Sequence, residues 1–248
     1  MNPTQNQVSG IVNTENQWKS IYFLGGITTV IVLLGALLDV SIGTITGGNL
    51  SALPQTAIER FAQFHDNTFL GLYNLDLLNS INQMILIPAV FALYAAHRTV
   101  NSAYSLLALT IFLFGSVLLV SNNTALPMYE LSRHYFATAI ESQKALYAAA
   151  GESMLAQGVH DSLGAFLGFF IPNIANLIMA MVMLQGGVFS KVNAWVGIIG
   201  SIFMLLYLLL VHFVPGVETM ATAFAMPGGL LLMAWMIMFA IRLFKLSR

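Results

Sequence analysis

Six stretches of this chain are each apolar enough and long enough to cross a bilayer, and nothing else in it restricts the fold so severely. They cover residues 21–40, 75–96, 103–120, 163–184, 192–211 and 223–241. A helix rises roughly 1.5 Å per residue, so about 20 residues match a ~30 Å hydrocarbon layer. The stretches lack the two-residue alternation of a transmembrane barrel, and in lipid each must satisfy its own backbone, which selects helices. The expected fold is all-α, a polytopic membrane protein with six transmembrane helices. Pro88 and Pro172 fall inside these runs and mark expected kinks.

With 58% hydrophobic and 8% charged residues, the chain is too apolar to hide its side chains in a water-soluble core. A net charge of -1 provides no clustered basic field, which excludes nucleic acid as a partner. The absence of cysteine removes disulfides, thiolate metal sites and cysteine nucleophiles. Residues 1–19 are rich in Asn, Gln and Thr and lack the basic start of a signal peptide. They read as a disordered cytoplasmic tail leading into a single domain over 20–248.

Basic residues orient the spans, because cytoplasmic flanks carry the excess of Lys and Arg. With the N-terminus inside, Lys19, Arg98, Lys191, Arg242, Lys245 and Arg248 are cytoplasmic, against Arg60, Arg133 and Lys144 outside. Both termini are then cytoplasmic and the expected location is the plasma (inner) membrane. The cytoplasmic connections are short, whereas the outer loops take 43–74, 122–161 and 212–222. The chain therefore reads as three hairpins opening outward. In the third loop, Glu130, His134, Ala137, Glu141, Lys144, Ala148 and Glu152 recur at helical spacing opposite an apolar set. This predicts one amphipathic helix, starting near Pro127 and ending near Gly151, with a weaker one over 57–64 in the first loop.

Some of these residues also carry a likeness. Phe91-Ala92-Leu93-Tyr94 with Arg98-Thr99-Val100-Asn101 and Leu106-Leu107-Ala108 resembles a pattern in small bacterial membrane proteins known only by a domain-of-unknown-function label. Residues 143–149, and Gly187 to Lys191 leading into Trp195 to Ile199, are similar to it too. The resemblance covers roughly 75–205 and implies a helical bundle in a bacterial plasma membrane. It supplies no catalytic residue.

Three constellations could carry chemistry. Asp76, Asn79, Asn82 and Gln83 share one face at about 100° per residue, and a carboxylate with three amides is too costly to show to lipid. They either line a pocket open to the outside or hydrogen-bond across the bundle, with Asn173 and Asn176 as partners. His65, Asp66, His134, His160, Asp161 and His212 all fall on the outer side and are right in kind for a bound metal, although no HExxH spacing orders them. The pairing of His160-Asp161 with His65-Asp66 suggests a lid shared by the two long loops. Asp39 is either a relay or the interfacial end of the first span, and the latter is the simpler reading.

The function expected from these residues is that of an integral plasma-membrane protein without evident catalysis. It binds a lipid, a small apolar ligand or a partner subunit through its extracytoplasmic face. The alternatives are a metal-dependent intramembrane hydrolase using the outer His and Asp residues, or a small proton-linked transporter. Apart from that candidate metal, no cofactor is expected.

Overall fold

In the computed structural model the backbone is described over residues 3–45, 54–158 and 163–248, and side chains over 17–43, 54–158, 163–217 and 220–248. These residues form ten α-helices and no strand. Six of the helices contain stretches long and apolar enough to cross a membrane: α1 (Pro3–Ile45), α4 (Leu77–His97), α5 (Ser102–Asn122), α8 (Leu163–Val182), α9 (Lys191–Phe213) and α10 (Glu218–Leu246). The other four are α2 (Ala57–Asp66), α3 (Thr68–Tyr73), α6 (Ala125–Ala137) and α7 (Glu141–Gly158). Helix α1 begins at Pro3 and so takes in the stretch that composition alone reads as a disordered tail. Once its apolar run has formed, each further residue adds a hydrogen bond without a new nucleation cost.

The six long helices close into a ring. Helix α1 packs on α4, α4 on α5, α5 on α8, α8 on α9, α9 on α10, and α10 returns to α1. Large apolar side chains such as Leu34, Val117 and Leu230 remain exposed on it, as expected where lipid is the solvent. Close approach within the ring depends on small residues, the usual device where apolar area by itself drives no association. A Cβ on Gly25 would lie 2.5 Å from that of Ala92, and one on Gly115 would lie 2.5 Å from Cδ of Pro172.

Toward the chain termini the ring is filled. Leu93, Phe112, Met179, Met183, Phe189, Trp235, Phe239 and Leu243 belong to one buried cluster there, and the Trp235 indole donates to the Met183 sulfur at 3.3 Å. At the same end the Arg98 guanidinium lies 4.1 Å over the Trp18 ring and donates to the Ala95 carbonyl at 2.8 Å.

At the opposite end α2, α3, α6 and α7 pack on one another as a cap with its own core, built from Ala57, Phe61, Phe64, Leu75, Met128 and Leu155. The two long loops therefore meet, through Phe61 and Phe64 and through a 2.9 Å bond from Ser132 Oγ to the Phe61 carbonyl. Where the 130–152 spacing predicts one helix there are two. Thr138 breaks the run: its backbone is extended, and its hydroxyl accepts from the Ile140 N–H at 3.2 Å and donates to Gln143 at 2.7 Å. Gly151 does not end α7, which continues to Gly158; it lets the helix press on Ala57 and Phe61.

The N-terminus of α2 is capped twice. Thr56 and Glu59 form a capping box, and the Glu152 carboxylate of α7 accepts from the Ala57 N–H at 2.7 Å. Backbone bonds from Thr56 and Gln55 hold the Glu59 carboxyl below its ordinary value. A lowered carboxylate pKa stabilises the fold above the unfolded value, and that contribution disappears as pH falls through the folded one. Amide exchange at 57–60, corrected for its intrinsic rate, should therefore quicken on acidification below about pH 4 and not between pH 8 and 6. Glu59→Gln should shrink the pH step.

Candidate functional site

On the capped side of its buried core the ring is not filled. A cleft of about 350 Å³ is lined by residues from all six long helices. Asp39 of α1, Asn79, Asn82 and Gln83 of α4, and Asn173 and Asn176 of α8 converge on it. Val32, Leu86, Phe169, Met204, Leu232 and Met233 supply the apolar lining. The periodicity of α4 explains the first group: Asn79, Asn82 and Gln83 fall on the face turned from lipid, because exposing amides to hydrocarbon is costly.

The polar groups differ in how they are held. Gln83 donates to Ser116 Oγ of α5 at 2.9 Å, and Ser116 in turn donates to the Phe112 carbonyl at 2.7 Å. Asn173 donates to the Phe169 carbonyl of its own helix at 3.0 Å, while its buried Oδ1 finds no partner. An amide oxygen desolvated in this way costs roughly 1–3 kcal/mol unless something donates to it. Asn82 lies against Gly35, where a Cβ would strike its amide. The expected link between the amides of the second span and Asn173 or Asn176 is not what the bonds show: Gln83 is tied to α5, and Asn173 to its own backbone.

Asp76 departs from the expected helical face. It precedes α4 in a left-handed conformation at φ 59°, so the 100° spacing does not extend to it. Its Oδ1 accepts from Asn79 Nδ2 at 3.0 Å, and it borders a smaller crevice with Asn122 and Asn123 instead of the cleft itself. Asp is one of the few residues with a side chain to tolerate that conformation, and such outliers gather at functional sites. Asp39, which reads from the sequence as the interfacial end of a span, lines the cleft.

Tyr73, at the end of α3, joins the two carboxylates to the cap. Its hydroxyl donates to the Asp39 carbonyl at 2.9 Å. Burial, then the charge of Asp39 and a hydrogen bond to it, then the charge of Asp76, push the phenol well above its ordinary value. It therefore stays protonated and keeps donating. Spacing offers no sign of this residue, because its partner lies 34 positions away.

The histidines do not share this cleft. His65 stacks on Phe136 at 4.4 Å, and His134 stacks on Tyr147 at 5.6 Å with its Nε2 3.1 Å from Glu130. Both border a pocket of about 520 Å³ in the cap. His212 lies elsewhere, at the end of α9, with Nδ1 2.9 Å from the Leu208 carbonyl and its ring against Phe166. Asp66 is exposed, and the neighbouring Asn67, not Asp66, caps the following helix through Leu70 N–H at 3.1 Å. His160 and Asp161 lie outside the described residues, and so does their pairing with His65-Asp66. Among the described residues no three His, Asp or Glu side chains converge as a metal site.

A ring of six apolar helices around a cleft bordered by amides and a carboxylate defines a multi-pass membrane protein. The chain belongs to the family described as "Domain of unknown function (DUF4386)", whose model matches residues 22–240. No curated protein and no solved structure matches it.

Proposed function

We propose that this protein is a membrane-embedded binding protein whose cleft holds a small ligand with a polar head and an apolar body. The observation that carries the reading is the convergence of Asp39, Asn79, Asn82, Gln83, Asn173 and Asn176, from three helices, on one cleft. Amides donate and accept but do not exchange protons near neutral pH, so this lining suits recognition better than acid–base chemistry.

The capped end is then the extracytoplasmic one, and the membrane a bacterial plasma membrane. Support comes from the basic residues near the termini and the two short connections: Lys19, Arg98, Lys191, Arg242, Lys245 and Arg248. Because the chain has no cysteine, single introduced ones report sidedness cleanly. On intact cells a membrane-impermeant maleimide should label Lys144→Cys and spare Lys245→Cys; the reverse pattern would invert the orientation.

Binding itself is tested by native mass spectrometry after gentle extraction. The wild type should carry a small-molecule adduct that an Asn79→Leu/Asn82→Leu variant of equal thermal stability loses. A bare wild type, or equal adducts on both proteins, would contradict the reading.

A further inference from the structure

The polar residues of the cleft are not spread evenly around it. Its amides come from α4 and α8, which flank α5 on one side of the ring: Asn79, Asn82 and Gln83 from the first, Asn173 and Asn176 from the second. The facing side, made by α9, α10 and α1, supplies Val32, Ala36, Met204, Leu232 and Met233, with Asp39 its one polar member among the described residues. The amides are also staggered in depth. Gln83 bonds Ser116, and a Cβ on the adjoining Gly115 would lie 2.5 Å from Cδ of Pro172, so Gln83 and Pro172 stand close to one level. Both α4 and α8 run inward from the capped end. Asn82 is one position outward of that level and Asn176 four positions inward, so at about 1.5 Å per residue they lie roughly 7–8 Å apart along the ring axis. These two half-buried amides bond no described residue, whereas Asn79, Gln83 and Asn173 are tied to Asp76, Ser116 and Phe169.

We infer that the ligand is a rigid polycyclic alcohol with its hydroxyls along one edge, that edge set against the amides of α4 and α8 and its hydrocarbon edge against α9, α10 and α1. This rests on the binding reading above and narrows it, since the polar and apolar parts of the ligand then lie side by side along the ring axis. The spacing of the amides requires more than one polar group. A hydroxyl bonds at about 2.7–3.0 Å, so a single small head reaches Asn82 or Asn176 and not both. Hydroxyls suit the lining because they donate and accept, as carboxamides do. The facing apolar side excludes a sugar, whose hydroxyls on every edge would leave some buried without partners. A flexible chain bearing the same hydroxyls would lose its rotamer freedom on binding, a cost that fused rings avoid. The cleft, at about 350 Å³, lies within the range of roughly 300–1,000 Å³ that holds such molecules.

The test is isothermal titration of nanodisc-embedded protein, with empty nanodiscs subtracted. The probes are methyl cholate, a fused-ring ester with its hydroxyls on one face, the hydroxyl-free methyl cholanate, and monododecanoylglycerol, whose hydroxyls sit at one end of a flexible chain. Methyl cholate should bind at least tenfold tighter than either of the others. Asn82→Leu and Asn176→Leu should each weaken it roughly fivefold, and the double variant by the product, because the two amides bond separate hydroxyls. Methyl cholanate should bind no more weakly to these variants, which separates lost recognition from a damaged cleft. Equal binding of methyl cholanate or monododecanoylglycerol, either amide change without effect, or a loss shared by the hydroxyl-free ester would each overturn the proposal. Monododecanoylglycerol bound as tightly as methyl cholate, and lost in Gly229→Phe, would overturn the polycyclic alcohol and leave the binding reading standing. Failure of every probe would overturn the proposal, and with no adduct on the purified wild type would remove both.

Discussion

Gly168→Ala should lower the stability of the bundle, whereas the same change at Gly229 should raise it. A Cβ on Gly168 would lie 2.8 Å from the Leu119 Cα and 3.1 Å from its backbone nitrogen, so α5 itself would have to move. Overpacking of this kind costs roughly 1–3 kcal/mol. Alanine's better helix propensity returns at most about 1 kcal/mol, so the clash wins. At Gly229 of α10 a Cβ would meet nothing within 4 Å, and only the propensity gain remains. For a chain of this size about 1 kcal/mol shifts a melting temperature by roughly 2–4 °C. Melting in nanodiscs should thus fall by several degrees for Gly168→Ala and rise by a few for Gly229→Ala. A fall of equal size at both positions would mean that the space beside Gly229 is not open.

Gly229→Phe should abolish ligand binding while leaving the fold intact. Gly229 borders the cleft, and the room its missing side chain leaves is part of that volume. The first carbon of a benzyl group there meets nothing within 4 Å, and the ring should extend into the space of about 350 Å³ that Gly229 borders. Most cleft residues lack this property: Gln83 bridges α4 and α5, so a change there disturbs packing along with recognition. Native mass spectrometry should show the Phe variant bare, at a melting temperature no lower than that of the wild type. An undiminished adduct on the Phe variant would place the ligand elsewhere.

Much of this architecture was legible in advance because the bilayer sets a length. The expected second span, 75–96, is α4 at Leu77–His97, and the expected fourth, 163–184, is α8 at Leu163–Val182. The amides of α4 were legible for a related reason: Asn79, Asn82 and Gln83 share a face, and lipid rejects amides, so they had to point inward. Asp76 broke that pattern because the helix starts one residue later, and a left-handed residue is invisible to a count of 100° steps. The break at Thr138 was missed because a hydroxyl that bonds its neighbours' backbone competes with a helix that composition otherwise favours. Met204 and Gly229 join the cleft from distant parts of the chain. Among the distant contributors, Asp39 gave a hint as a carboxylate within an apolar run, and Asn173 and Asn176 as amides within another.

Binding requires the cleft to be an open, water-reachable space within the ring. That is measured most directly with Asn176→Cys, the chain's sole cysteine once introduced, exposed in membrane vesicles to a small charged thiol reagent. The residue should react from the capped side, and adding Gly229→Phe should suppress the reaction. A thiol that stays unreactive from both sides, or one that reacts equally with the cleft filled, would contradict the central claim.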